Sequence, residues 1–342
     1  MIFQLEKTFP RLWSIDSGII MVVTDLHGDW GAYQRYRDRF IDLHTSSKVD
    51  CLVLAGDLIH SDSPQITDKS LDIVIDVLKM QELFGDAVIY LCGNHELPHI
   101  YSFGLSKGKK EYTPAFEAAL SQSLYRPQVT TLFHSLPFFV RTRAGVSITH
   151  AGASPTMSDF RTAAKIFNWD HRKYLAEAES LLADMDIEGM RRGYAKLSQV
   201  DSYDELARHY LAVNDKNNPR YNDLLRGFFA TSNPDYQYLD SVLFTKCELA
   251  YGQIAYSSML LDQLRNLSNM YTPQKVLVAG HMTVSGGHKI VAKRHLRLCS
   301  GQHATPREAG KYLLFDAQIQ IEDISNTHPF LMMIIWILMW KK

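Results

Sequence analysis

Charge of one sign is the first thing this sequence lacks. Its 342 residues carry a formal net charge of −1, with Lys and Arg scattered along the chain. That leaves no basic footprint for nucleic acid. Cysteine is scarce: Cys51, Cys92, Cys247 and Cys299 are the only four. Their spacing fits no zinc motif, and they read as buried thiols in a reducing compartment rather than as disulfides. No apolar run reaches the about 20 residues of a bilayer-spanning helix. The start, MIFQLEKTFPRLW, lacks the basic and apolar regions of a signal peptide, so a cytoplasmic location is expected. Internal repeats and low-complexity tracts are absent too. One oddity is FLMMIIWILMW at 330–340, followed by Lys341 and Lys342. It fits a membrane-surface anchor, an interface element or a chain end not selected for folding, and these stay open.

What is present is a series of short apolar runs. Residues 18–24 (GIIMVVT), 51–55 (CLVLA), 87–92 (AVIYLC) and 144–149 (AGVSIT) read as strands. A helical stretch at 29–44 separates the first two. DKSLDIVIDVLKMQELFG, with Leu71, Val74, Ile75 and Leu78 at helical spacing, separates the next two. Strand–helix alternation with apolar strands predicts an α/β sheet covered by helices. Residues 155–270 change character and read as amphipathic helices, with a polar turn at 214–223. From 275 strand character returns in KVLVAGH, and HKIVAKRHLRLC and KYLLFDAQIQIEDI alternate like antiparallel strands. The expectation is one domain, 1–325, with a helical cap-like insertion at 155–270 and an apolar tail at 326–342.

Each apolar run ends in residues that bind metals. VVTDLHGDW supplies Asp25 and His27, LVLAGDLIH supplies Asp57, YLCGNHE supplies Asn94 and His95, SITHAG supplies His150, and VLVAGH supplies His281. Singly, each is an ordinary turn; in series, they point to a metal site. Open α/β sheets place ligands outside the carboxyl ends of strands. Alternate residues of an extended segment point the same way, so Asp25 and His27 can grip one ion. Carboxylate, imidazole and amide oxygen together suit Mn²⁺, Fe and Zn²⁺, with Mg²⁺ as a further candidate. Asp57 has two oxygens with which to bridge two ions. Two ions about 3.5–4 Å apart clamp a phosphoryl group and activate water for in-line attack.

The ordered set D-x-H-G, G-D, G-N-H-E, H-A-G and G-H resembles the calcineurin-like metallophosphoesterases. The full GNHE and the HAG make it most similar to their phosphoprotein (Ser/Thr) phosphatase branch. The likeness covers about 20–152 and 240–320. It implies a four-layer α/β/β/α sandwich with a dinuclear site and a phosphorylated substrate. By this resemblance Asp25 and His27 bind the first ion, Asp57 bridges, and Asn94, His150 and His281 bind the second. His95 is in the proton-donor position and Glu96 braces the turn.

The sequence departs from that pattern in two places. His60 and Ser61 in GDLIHSD replace the family's Asp and phosphate-binding Arg, and Asp62 is a candidate substitute for the lost carboxylate. Lys246 stands near the place of a second family Arg. A lysine is a point charge and cannot make the bidentate fork of Arg on phosphate. The alternative for Lys246 is a solvated surface lysine. His60, Lys246 and Arg226 are the candidate substrate-binding residues. His99, His171, His288, His295 and His303 have no spacing argument and read as ordinary surface or loop histidines. The expected activity is a metal-dependent phosphomonoesterase of the Ser/Thr phosphatase-like type. The rivals are a nucleotide or dinucleoside polyphosphate hydrolase on the same metal core, a cyclic-phosphodiester hydrolase, or a catalytically weak regulatory relative.

Overall fold

A computed structural model describes residues 3–324 and the backbone of 332–336. By contact density the chain divides into two compact units: residues 1–94, 136–169 and 238–342, and residues 95–135 and 170–237. Of the helical stretch 155–270, only 170–237 belongs to the second unit, which also draws on 95–135.

The strands of the two large sheets in the first unit are β1 (Gln4–Phe9), β2 (Leu12–Ser17), β3 (Ile19–Val23), β4 (Cys51–Leu54), β5 (Val88–Tyr90), β6 (Phe139–Thr142), β7 (Val146–Thr149), β8 (Val276–Ala279), β9 (His288–Ala292), β10 (His295–Leu298), β11 (Lys311–Asp316) and β12 (Met332–Trp336). One sheet has the order β1-β2-β6-β7-β8-β10-β9 and the other β12-β11-β3-β4-β5. In the five-stranded sheet β3, β4 and β5 run parallel, Val22 opposite Val53 and Val53 opposite Ile89. In the seven-stranded sheet β7, β8 and β10 run parallel, Ile148 opposite Val278 and Val278 opposite Leu296. Parallel neighbours end on the same edge, so the loops after β3, β4 and β5 cluster, as do those after β7 and β8. Among the predicted strands, β9 and β10 do form an antiparallel pair, and β11 pairs antiparallel with β3. The sequence pattern did not reveal β1, β2, β6 or β12. β12 lies within the apolar tail; the rest of that tail, 326–331 and 337–342, is outside the described residues.

One apolar cluster fills the space between the sheets. Ile20, Val22, Val53 and Ile89 come from one side, and Val140, Ile148, Val278 and Leu296 from the other. The intervening Met21, Val23 and Leu52 are buried as well, because helices cover the opposite face. Trp30–Thr45 buries Tyr33, Tyr36, Phe40 and Leu43, an apolar stripe at helical spacing. Ser70–Phe84 buries Ile73, Val74, Val77 and Met80. That stripe shares only Val74 with the one predicted. Leu71, Ile75 and Leu78 widen the apolar face as half-buried residues, so spacing alone did not decide which part of it turns inward. On the outer side of the seven-stranded sheet, Leu260 and Leu264 of the helix Gln253–Leu267 pack on Leu277. The layers are therefore helix, sheet, sheet, helix, the expected α/β/β/α sandwich.

The second unit is mainly helical, with a core of Leu182, Tyr203, Leu206, Leu211, Leu224 and Leu225. A Cβ on Gly227 would lie 1.6 Å from the carbonyl oxygen of Tyr101, so only glycine lets these segments approach this closely. Among the described residues no helix is long and apolar enough to cross a membrane. All four cysteines are free: Cys51, Cys92 and Cys299 are buried, and Cys247 is half-buried.

Candidate metal centre

The strand ends turn abruptly. Asp25 (φ 51°), His27 (45°), Asp57 (51°), His60 (69°) and His281 (72°) all occupy the left-handed region. Non-glycine residues pay about 1–3 kcal/mol for such backbone, and the cost persists only where surrounding contacts enforce it. Here the loops are laced together. Asp25 N–H donates to Gly56 O (3.3 Å), His27 N–H to Asp57 O (3.0 Å), and Gly280 N–H to His150 O (2.9 Å). Across the two sheets, His281 N–H donates to Asp25 Oδ1 (2.7 Å) and Thr24 Oγ1 to Leu298 O (2.8 Å). A Cβ on Gly280 would fall 1.9 Å from Asp25 Oδ2, so glycine there makes room for the carboxylate. Asp29 caps the helix Trp30–Thr45 by accepting from Ala32 N–H, and Arg307 grips the same carboxylate through two bonds of 2.6 Å. The turn that carries Asp25 and His27 is thus fixed on its far side.

The side chains converge in two groups. His150 Nε2 lies 3.0 Å from Asn94 Oδ1, 3.1 Å from His281 Nδ1 and 3.3 Å from Asp57 Oδ2. Atoms that bind one ion at about 2.1 Å are themselves about 3.0–3.4 Å apart, and these separations match. The second group holds Asp25, His27 and Asp57: His27 Nε2 is 3.9 Å from Asp25 Oδ1 and 3.8 Å from Asp57 Oδ2. Asp57 alone belongs to both groups, as a bridging carboxylate must. His150 Nδ1 sits 3.1 Å from Ala55 O and His27 Nδ1 3.2 Å from His60 O. Those carbonyls accept an Nδ1–H and leave Nε2 as the ligand atom. The carboxylate oxygen Oδ2 of Asp25 is buried with no hydrogen-bond partner among the described residues. Such an orphaned acceptor fits a cation.

Electrostatics agree. Burial pushes the Asp25 carboxyl up, but His303 beside it outweighs that and holds it below the usual carboxylate range. Burial first, and then His150, pushes His281 well below the usual histidine value, so it stays neutral and able to ligate. His303 is held up at about 9, because Asp25 and Asp62 flank it and outweigh its burial.

His303 corrects the sequence reading. It is buried, its Nδ1 is 3.4 Å from Asp25 Oδ1, and its ring centroid is 4.3 Å from that of His27. His295 and His171 are also buried, bonded to the hydroxyls of Tyr256 (2.7 Å) and Tyr101 (2.9 Å). His99 contacts Glu117 at 2.8 Å, and His288 contacts Lys311 at 3.0 Å. Of the substrate-binding candidates, His60 is buried and contributes its carbonyl to the His27 ring. Lys246 is exposed at the start of the short helix Cys247–Ala250. Arg226 belongs to the second unit, where it pairs with Asp223 (2.8 Å) and Glu179 (3.7 Å). His95 opens that unit, half-buried, its ring 5.0 Å from that of Tyr112. Glu96 is fully buried just before the helix Leu97–Tyr101.

Sequence reasoning missed Arg297. This buried side chain on β10 forks onto Glu248, with Nε–Oε1 at 3.0 Å and Nη2 also on the carboxylate, and donates Nη1–H to Gly280 O. It therefore anchors the peptide that precedes His281. Nothing local in RHLRLC distinguishes Arg297 from a solvated strand arginine.

The model of the calcineurin-like phosphoesterase family matches residues 19–245, more than half of the chain. A sequence search of curated proteins gave no significant match. Among solved structures, a protein serine/threonine phosphatase from Saccharomyces cerevisiae is similar at 12% identity, over 86% of this chain and 72% of its own, with a TM-score of 0.42. A cold-active protein-tyrosine phosphatase of a psychrophile, Shewanella sp., is similar at 13% identity over 90% and 77%, with a TM-score of 0.43. A metallophosphoesterase from Sphaerobacter thermophilus is similar at 16% identity over 40% and 47%, with a TM-score of 0.25. The motif series, the layered fold and the family match agree: this chain belongs to the calcineurin-like phosphoesterases, enzymes that hydrolyse phosphoric esters.

Proposed function

We propose that the chain is a phosphomonoesterase of the Ser/Thr protein phosphatase-like type that works with two divalent ions, Mn, Fe or Zn, with Mg as a further candidate. The observation that carries this reading is the sharing of Asp57 between two ligand groups at the ends of two sheets. Asp25, His27 and Asp57 would hold one ion; Asp57, Asn94, His150 and His281 would hold the other. When bound, such ions supply Lewis-acid charge that activates water and stabilises the phosphoryl oxygens.

The chain's own residues do the rest. Ala55 O and His60 O fix the tautomers of His150 and His27, so both rings present an unprotonated nitrogen. His281, kept neutral by burial, does the same. His95, joined directly to Asn94, donates a proton to the departing ester oxygen. Lys246 supplies charge for the substrate phosphate. The phosphorylated substrate is a phosphoprotein or a small phosphoester. The motif ligands needed for turnover are all present, which favours an enzyme over a regulatory relative.

The test is a panel on metal-stripped protein with single ions restored: nitrophenyl phosphate, its bis-ester, a phosphoserine peptide, diadenosine tetraphosphate and a cyclic nucleotide. Preferred cleavage of the monoester and the peptide is expected. Preference for the dinucleoside polyphosphate would move the assignment to polyphosphate hydrolysis, and no cleavage despite bound metal would favour the regulatory relative.

A further inference from the structure

The loop after β10, SGQHATP, bears no metal motif, yet it reaches into the site. Its Gln302 acts as a clip. Gln302 Nε2 donates to His27 O (2.7 Å), and Gln302 Oε1 accepts from Asp62 N–H and Ser63 N–H (both 3.0 Å). The neighbouring residue, His303, is buried. Its Nδ1 faces Asp25 Oδ1 at 3.4 Å and has no hydrogen-bond partner of normal geometry among the described residues. Its Nε2 lies 3.5 Å from Asp62 Oδ2. Asp25, His27 and His303 offer ligand atoms that all lie within 4.8 Å of one another.

Resting on the dinuclear reading above, we propose that His303 is a further ligand of the first ion, through Nδ1, with Asp62 as its positioning residue. A carboxylate on one imidazole nitrogen leaves the other to the metal and fixes the ring's orientation. Asp62 stands on that side of the ring, and the orphaned nitrogen points at Asp25. The assignment gives Asp62 a task other than replacing the family's lost carboxylate near His95. It also makes the first position richer in nitrogen, which favours Zn²⁺ or Co²⁺ over Mg²⁺. The rival role for His303 is a cation that merely neutralises Asp25, and the two roles predict opposite results. A neutralising cation repels the metal, so its removal tightens metal binding; loss of a ligand weakens it.

The experiment titrates Co²⁺ into the metal-stripped full chain, followed by calorimetry and visible absorption. The parent takes up two ions. In His303→Ala one site weakens at least tenfold and its absorption changes, while the other site keeps its parental affinity, which also reports an intact fold. Asp62→Ala weakens the same site by about 10–100-fold. Parental or tighter binding at both sites in His303→Ala overturns the proposal. If that variant does not fold, unchanged affinities in Asp62→Ala overturn it. A parent that takes up fewer than two ions instead overturns the dinuclear reading beneath it.

Discussion

Removing the carboxylate of Glu248 tests whether the buried Arg297 is a structural brace for the metal centre. The pair is almost wholly inaccessible: the side chains of Arg297 and Glu248 are 1% and 6% exposed. Glu248→Ala leaves a guanidinium buried with only Gly280 O and water to satisfy it. Breaking a buried ion pair from one side costs about 3–5 kcal/mol. For a unit of this size that corresponds to a melting temperature lowered by about 6–20 °C. The Gly280–His281 peptide loses its anchor at the same time, so the affinity of the site that uses His281 falls as well. The assays are calorimetric melting of the metal-free chain and metal titration of the folded variant. Arg297→Met adds the decisive control. If the pair is the cause, Glu248→Ala costs much less in the Arg297→Met background than in the parent, because no charge is left stranded. Additive costs in the double variant, or a Glu248→Ala protein as stable as the parent, would refute the reasoning.

Three other outcomes are expected. Glu117 is a buried hub in the second unit that accepts from His99 Nδ1 and Arg126 Nη2 (both 2.8 Å) and Arg220 Nη2 (3.0 Å). Burial opposes its charge, but these partners outweigh it and hold its carboxyl down at about 2 against an ordinary 4.5. A depressed acid stabilises the fold above its unfolded value, so about 3 kcal/mol is present at neutral pH and is lost as pH falls from about 4.5 to about 2. Glu117→Gln should flatten that acid limb in pH-dependent denaturation, and an unchanged limb counts against the hub. Gly280→Ala forces Asp25 Oδ2 aside; metal uptake should drop with little loss of secondary structure, and parental uptake contradicts the packing. His95→Ala should slow cleavage of an alkyl phosphate by about 10²–10⁴-fold and that of a nitrophenyl ester, whose leaving group needs no proton, far less. Undiminished cleavage of the alkyl ester removes His95 from proton donation.

The strands that carry ligands were legible because an apolar run, a glycine and a ligand are adjacent in sequence. Asp25, Asp57, Asn94, His150 and His281 each follow such a run, and parallel pairing collects their ends on one edge. The strands without ligands were harder. No residue of β1 is buried, and β6 is a four-residue run between a helix and a turn. Residues whose role arises only by folding were invisible. His303 meets Asp25 across 278 positions, and Arg297 meets Glu248 across 49. No local pattern encodes such pairs. The left-handed backbone at Asp25, His27, Asp57 and His281 was equally hidden, because aspartate and histidine tolerate that region without requiring it.

The most direct test of the central claim is a titration of metal-stripped protein in which bound ions and turnover of nitrophenyl phosphate are measured together. The account predicts activity that rises to its maximum as two equivalents bind, and an Asp57→Asn variant that has weakened uptake at both positions and negligible turnover. Full turnover in excess chelator, or Asp57→Asn protein that retains both ions and parental activity, would contradict it.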